Sequence, residues 1–220
     1  MIAGAVRSVF NNITGQKGKG SMIKNVILDM GNVLLDYNPD VSLNLFCSCD
    51  EEKEIIRREL FSGPEWVMGD RGDIPDSGRF ELVRQRVPEQ YWDALKNCCD
   101  RWYICMKPLE GAKAFCDFVK GHGLGIYILS NASDAFYEYF PKFLPLDYFD
   151  GVVVSADIHM LKPDREIFDY LTGKYHLRPE ECLFIDDMPR NVEGARQAGL
   201  QAFRFENDYA PIRELLLSQF

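Results

Sequence analysis

Four sets of residues, spread along the chain, carry side chains able to act on a charged substrate: Asp29, Ser130 with Asn131, Lys162, and the pair Asp186-Asp187. Three of them follow short apolar runs. Val26-Ile-Leu28 precedes Asp29, Ile126-Tyr-Ile-Leu129 precedes Ser130, and Leu183-Phe-Ile185 precedes Asp186. Loops at strand ends of an α/β sheet are where ligands sit. A carboxylate delivered there can attack phosphorus, hold a divalent metal, or do both. Each set alone has a plain structural reading. Many strands end in Asp, Ser-Asn after a strand commonly makes a turn, and a lone Lys is usually a surface residue. Asp186 and Asp187 can cap the helix that follows them. The order Asp, Ser, Lys, Asp-Asp gives the sets their weight.

The elements that must position these residues are legible as patterns. Apolar, β-rich runs occur at 25–28, 125–129, 151–154, 182–185 and 201–205, and helix-period segments at 112–120, 133–140, 165–175, 192–198 and 212–218. Strands alternating with helices imply a parallel sheet joined by right-handed crossovers. Runs that are apolar almost throughout imply that both sheet faces are covered. Pro163, after Lys162, suits the first position of a helix. The region from Pro39 to Pro108 breaks the rhythm. It holds helical text at 51–61 and 78–105, a loop at 62–65, the stretch Asp70-Arg-Gly-Asp-Ile74, and no clear β-run. The expected fold is therefore α/β: a Rossmann-like parallel sheet core flanked by helices, with a helical cap inserted after the first strand. The expected division is core at 22–38 and 109–220, cap at 39–108, and an N-terminal extension or cloning remnant at 1–21, with Met22 as a natural start.

Composition narrows the classes. The chain has 220 residues, enough for one α/β domain with an insertion, and 46% of them are hydrophobic. Its net charge is −9, which argues against a nucleic-acid backbone as partner. A small anionic substrate stays compatible, because a local metal ion and Lys outweigh net charge. The seven Cys (47, 49, 98, 99, 105, 116, 182) form neither a disulfide framework nor zinc-site spacing. Reduced thiols point to a cytoplasmic protein. No run approaches the ~20 apolar residues that span a bilayer, so no membrane partner is expected. Nothing in the sequence sets an oligomeric state.

Taken in order, these sets resemble the four motifs of the haloacid-dehalogenase-like hydrolase superfamily, over a stretch from about Lys24 to the C-terminus. The resemblance implies a Mg2+-dependent phosphatase acting on a small phosphorylated metabolite. Asp29 would be the nucleophile, forming an aspartyl-phosphate that water then hydrolyses. Asp29, the backbone carbonyl of Gly31, Asp186 and Asp187 would hold Mg2+, with either member of the pair as the direct ligand. Ser130 and Asn131 would bind phosphate oxygens, and Lys162 would neutralise Asp29 and the transferring phosphoryl group. Asn191 would orient the Asp186-Asp187 loop.

One position departs from that pattern. Most phosphatases of the superfamily carry a second Asp two residues after the nucleophile, where it protonates the leaving group. Here that position is Gly31, followed by Asn32. General acid catalysis typically contributes about 10²–10⁴-fold. The Asp-x-Gly-Asn form resembles a subgroup that includes phosphatases acting on glucose 1-phosphate, so a sugar phosphate is the expected substrate. Asp36, His159 or water would have to supply the proton. Otherwise the enzyme should favour leaving groups that need little protonation. The competing readings are a phosphate-binding module that has lost turnover and a 2-haloacid dehalogenase, in which Asp29 attacks carbon without a metal. Trp66, Trp92, Trp102 and Tyr103 fall in the cap, as core or as a surface on which a sugar stacks.

Overall fold

A computed structural model describes residues 21–220; all but the last residue of the expected extension at 1–21 lies outside them. Strands β1 (Asn25–Leu28), β4 (Gly125–Ser130), β5 (Gly151–Val154), β6 (Cys182–Asp186) and β7 (Gln201–Arg204) form one sheet in the order β5-β4-β1-β6-β7. Every neighbouring pair is parallel. The chain leaves β1 toward β4 on one side and returns to β6 on the other. The strand order therefore reverses beside β1, the place where a ligand crevice opens in such sheets. Register aligns Leu28 with both Ile128 and Ile185. Asp29, Ser130 and Asp186 thus leave the sheet at the same edge.

Alternation along β1 sends side chains to opposite faces. Val26 and Leu28 join a cluster with Phe115, Val119, Ile212 and Leu216, while Ile27 packs with Phe168, Phe184 and Val192 on the other side. Each fully buried aliphatic side chain is worth about 1.5–3 kcal/mol. This two-sided burial is what makes β1 rigid enough to hold a carboxylate at its end.

The insertion is helical: α1 (Asp40–Phe46), α2 (Asp50–Ile56), α3 (Pro64–Arg71), α4 (Arg79–Val83) and α5 (Trp92–Asp100). They enclose a cluster of their own, with Leu43, Ile56, Leu60, Val83, Leu95 and Cys98 fully buried. Three local expectations are corrected. The text before Pro108 does contain a strand. β2 (Leu35–Tyr37) pairs antiparallel with β3 (Met106–Pro108), tying the two ends of the insertion together. Such three-residue runs carry no readable alternation. The expected loop at 62–65 ends inside a helix, because Pro64 occupies the first turn of α3, where its missing N–H costs nothing. Pro163 is not in a helix. A turn closed by Asp164 N–H on the Leu161 carbonyl (2.9 Å) holds it outside, and Asp164 is the N-cap.

The core helices are α6 (Ala112–Gly121), α7 (Phe136–Tyr139), α8 (Ser155–Ile158), α9 (Arg165–Lys174), α10 (Pro189–Gln197) and α11 (Ala210–Leu217). All seven cysteines are free. Among the described residues, no helix is long and apolar enough to cross a membrane.

Candidate active site

Asp29 follows β1 directly, and its N–H donates to the Ile185 carbonyl at 2.9 Å. The main chain of β6 thereby fixes the position of the carboxylate. One carboxylate oxygen accepts the Met30 N–H at 2.7 Å. The same oxygen lies 2.7 Å from Lys162 Nζ. Lys162 also reaches Asp186 Oδ2, at 2.8 Å. Lys162 is 3% exposed and Asp186 is fully buried. Two carboxylates therefore share one buried cation. Asp186 is further held by Asn191 Nδ2, 3.0 Å from each carboxylate oxygen, and by the Met188 N–H at 2.8 Å. Asp187 accepts the Asn32 side-chain amide at 3.1 Å. Oxygens of Asp29, Asp186 and Asp187 all lie within 4.8 Å of one another.

Burial governs the charges here. It raises the Asp29 carboxyl; the Asp186 charge adds to that, and Lys162 opposes it. Burial and the neighbouring Asp186 also raise Asp187, against the pull of the Asn32 amide. Burial alone would lower the Lys162 ammonium, but the Asp186 and Asp29 charges outweigh it and hold the group above its usual range. Three carboxylates against one ammonium leave an excess of negative charge on hard oxygen donors. That donor set matches the preference of Mg2+ for carboxylate oxygen. The Gly31 carbonyl stands next along the same loop.

The remaining expected residues divide. Asn131 clamps the Lys162 backbone: its amide donates to the Lys162 carbonyl (3.0 Å) and accepts the Lys162 N–H (2.9 Å). It also lines the cavity beside Asp29. Ser130 is fully buried, its hydroxyl has no hydrogen-bond partner among the described residues, and it is not among the residues lining the cavity. The serine that lines the cavity is Ser133, whose buried hydroxyl is likewise without a partner among the described residues. Buried polar groups in that condition normally find one in a ligand or water. Asp36 and His159 are not on the cavity wall. Asp36 pairs with Lys107 at 3.1 Å on the β2–β3 ribbon. His159 is exposed and its Nδ1 lies 3.0 Å from the Arg71 carbonyl. The residue with positive φ in the Asp29 loop is Asn32 (φ 54°), not Gly31, and nothing lies within 4 Å of a Cβ placed on Gly31.

The cavity measures about 290 Å³ and lies between Asp29, Lys162 and Asp187 on the core side and Tyr37, Trp66, Asp70, Arg79 and Trp102 opposite. That volume suits a small metabolite. Of the aromatics singled out in the cap, Trp66 and Trp102 form this wall; Trp92 and Tyr103 do not. Arg79 is 1% exposed, lies 4.4 Å from the Trp66 ring centre, and pairs with Asp76 at 2.8 Å. Asp70 and Arg79 escaped the sequence reading. Asp70-Arg71-Gly72-Asp73 is visible as a motif, but nothing in it says which residue faces Asp29.

Comparison with known proteins gives a consistent picture. Residues 23–199 match a family model described as haloacid dehalogenase-like hydrolase. The chain is 28% identical to a sesquiterpene phosphatase of Aspergillus oryzae, covering 87% of this chain and 94% of that one. It is 27% identical to a D-ribitol-5-phosphate phosphatase of Bacteroides thetaiotaomicron, covering 84% and 93%. Among solved structures, a HAD family enzyme of Bacteroides thetaiotaomicron in complex with magnesium and inorganic phosphate superposes with a TM-score of 0.66. That match is 22% identical and covers 86% of this chain and 98% of the other, which bears on the fold.

Proposed function

This chain belongs to the haloacid dehalogenase-like hydrolase family, and from that premise we propose that it is a Mg2+-dependent phosphatase of small phosphomonoesters. The observation that carries the reading is the convergence of Asp29, Lys162, Asp186 and Asp187 at one sheet edge, facing one cavity. Asp29, Asp186, Asp187 and the Gly31 carbonyl would hold the ion. When bound, Mg2+ supplies a hard Lewis acid that shares the negative charge of the phosphoryl oxygens. Asp29 attacks phosphorus, the bond to the leaving oxygen breaks, and water later cleaves the aspartyl-phosphate. Lys162, fixed by two carboxylates and by the Asn131 clamp on its backbone, stabilises charge on the transferring group without reorganising. Asn191 keeps Asp186 oriented toward Lys162. Ser130 and Asn131, at the end of β4, would bind phosphoryl oxygens, and Ser133, three residues on with an unpartnered buried hydroxyl on the cavity wall, would add a donor.

The acidic cluster favours this reading over a metal-free dehalogenase. We place substrate choice in the cap, residues 39–108, and propose a sugar phosphate. Trp66, Trp102 and Tyr37 give the cavity an aromatic wall on which an apolar C–H face packs, beside charged groups that meet hydroxyls. The test is phosphate release from a panel of sugar phosphates and an isoprenyl monophosphate, with Mg2+ and after chelation. Metal-dependent release that peaks on sugar phosphates is expected. Equal rates with and without chelator would overturn the metal role. Preference for the isoprenyl ester would overturn the substrate.

A further inference from the structure

Asp70 is the one carboxyl that the cap contributes to the cavity wall. It sits in the last turn of α3, and that turn is fastened to the core. Ser155 Oγ donates to the Asp70 carbonyl. Gly72 ends the helix in a left-handed conformation (φ 77°) packed against Ala156. Asp70 thus faces the cavity from a backbone anchored on the same body as Asp29.

Its surroundings favour the protonated form. The nearby cation, Arg79, is already matched: it pairs with Asp76, which also accepts Trp102 Nε1 at 2.6 Å. Arg79 and Asp76 together are neutral, and among the described residues the Asp70 carboxyl has neither a hydrogen bond nor an ion pair. Trp66, Trp102, Tyr37 and Tyr139 complete its side of the cavity. Burial pushes Asp70 up to about 7; the charges of Asp76 and Asp29 add to this, and those of Arg79 and Lys162 oppose it. Of the two carboxyls on this cavity, Asp29 is held by the buried Lys162 ammonium and Asp70 has no polar partner among the described residues, which leaves Asp70 as the one placed to exchange a proton with a leaving group.

We propose that Asp70 is the general acid that the Gly31 position lacks. The inference rests on the phosphomonoesterase reading. As the Asp29 oxygen–phosphorus bond forms and the phosphorus–leaving-oxygen bond breaks, the Asp70 proton passes to the leaving oxygen, which departs as an alcohol. The Asp70 carboxylate then takes a proton from the water that attacks phosphorus. The bond to Asp29 breaks, phosphate leaves, and Asp70 is again protonated.

The test is kcat/KM of the full Mg2+-loaded chain across esters from nitrophenyl phosphate to glycerol phosphate. The parent is expected to show a shallow dependence on leaving-group pKa. Asp70→Asn should lose about 10²–10³-fold on the alkyl ester, and at least tenfold less on the aryl ester. Asp70→Glu should retain more alkyl-ester activity than Asp70→Asn, and Gly31→Asp added to Asp70→Asn should recover part of the loss, since space at Gly31 is open. A steep parent dependence, or equal losses on both esters, overturns the inference while leaving the hydrolase reading intact. A parent that releases phosphate from no ester overturns both. If Asp70→Asn loses its native circular dichroism, the parent dependence and the Gly31→Asp variant decide. Flattening of the slope by Gly31→Asp alone speaks against Asp70.

Discussion

The two walls of the cavity hold their charges by different means. On the core side, Asp29, Lys162 and Asp186 are locked by short polar contacts, and each group sits within a residue or two of a strand end or tight turn. On the cap side, the Arg79 guanidinium lies over the Trp66 ring and is paired with a single carboxylate, while Asp70 has no polar partner among the described residues. The first arrangement suits groups that must keep their charge and geometry through a reaction. The second leaves a carboxyl free to trade a proton. A wall built from helix faces can also change its aromatic lining without disturbing the nucleophile.

The largest expected effect is on the core side. Asp29→Asn is nearly isosteric but removes the nucleophile, so kcat should fall by about 10⁴-fold or more with the melting temperature little changed. Ordinary steady-state turnover in that variant would break the assignment. Lys162→Ala removes the cation shared by Asp29 and Asp186, and kcat should fall by about 10²–10³-fold. Leaving two buried carboxylates uncompensated should also cost stability, about 3–5 kcal/mol, readable by urea unfolding with and without Mg2+. A loss below twofold in kcat/KM would make Lys162 a structural residue alone.

At Arg79 the cap side should answer in stability more than in chemistry. Arg79→Met strands Asp76, and the cost should be about 2–4 kcal/mol, less than for a fully buried pair because Asp76 is partly exposed. Unchanged urea midpoints would show that the guanidinium contributes nothing to cap packing. Asp187→Ala should weaken Mg2+ binding by about 10–100-fold, measured by titration calorimetry; an unchanged affinity would remove Asp187 from the ligand set. The smallest effect is expected at Asp36. Its pair with Lys107 is surface-exposed, worth about 0–1 kcal/mol. Asp36→Asn should change kcat/KM on an alkyl ester by less than twofold; a large loss there, absent on an aryl ester, would return Asp36 to the role of acid.

The sequence by itself determined the core. Apolar runs that end in Asp29, Ser130 and Asp186 specify strands, their alternation with helical text specifies a parallel sheet, and a parallel sheet brings those ends to one edge. Strand identity and order along the chain are local properties, so they are readable. What only the tertiary structure decided is which side chains face one another across the cavity. Ser130 and Ser133 lie three residues apart, each with a buried hydroxyl that lacks a partner among the described residues, yet of the two it is Ser133 that lines the cavity. Asp36 lies seven residues from Asp29 along the chain but is drawn off by a ribbon whose other strand comes from residues 106–108. Asp70, some forty residues from Asp29, comes to the same cavity because α3 packs on α8 through Ser155 and Gly72. No periodicity encodes such a meeting, because the docking of a cap helix on the core depends on the shapes of both surfaces at once.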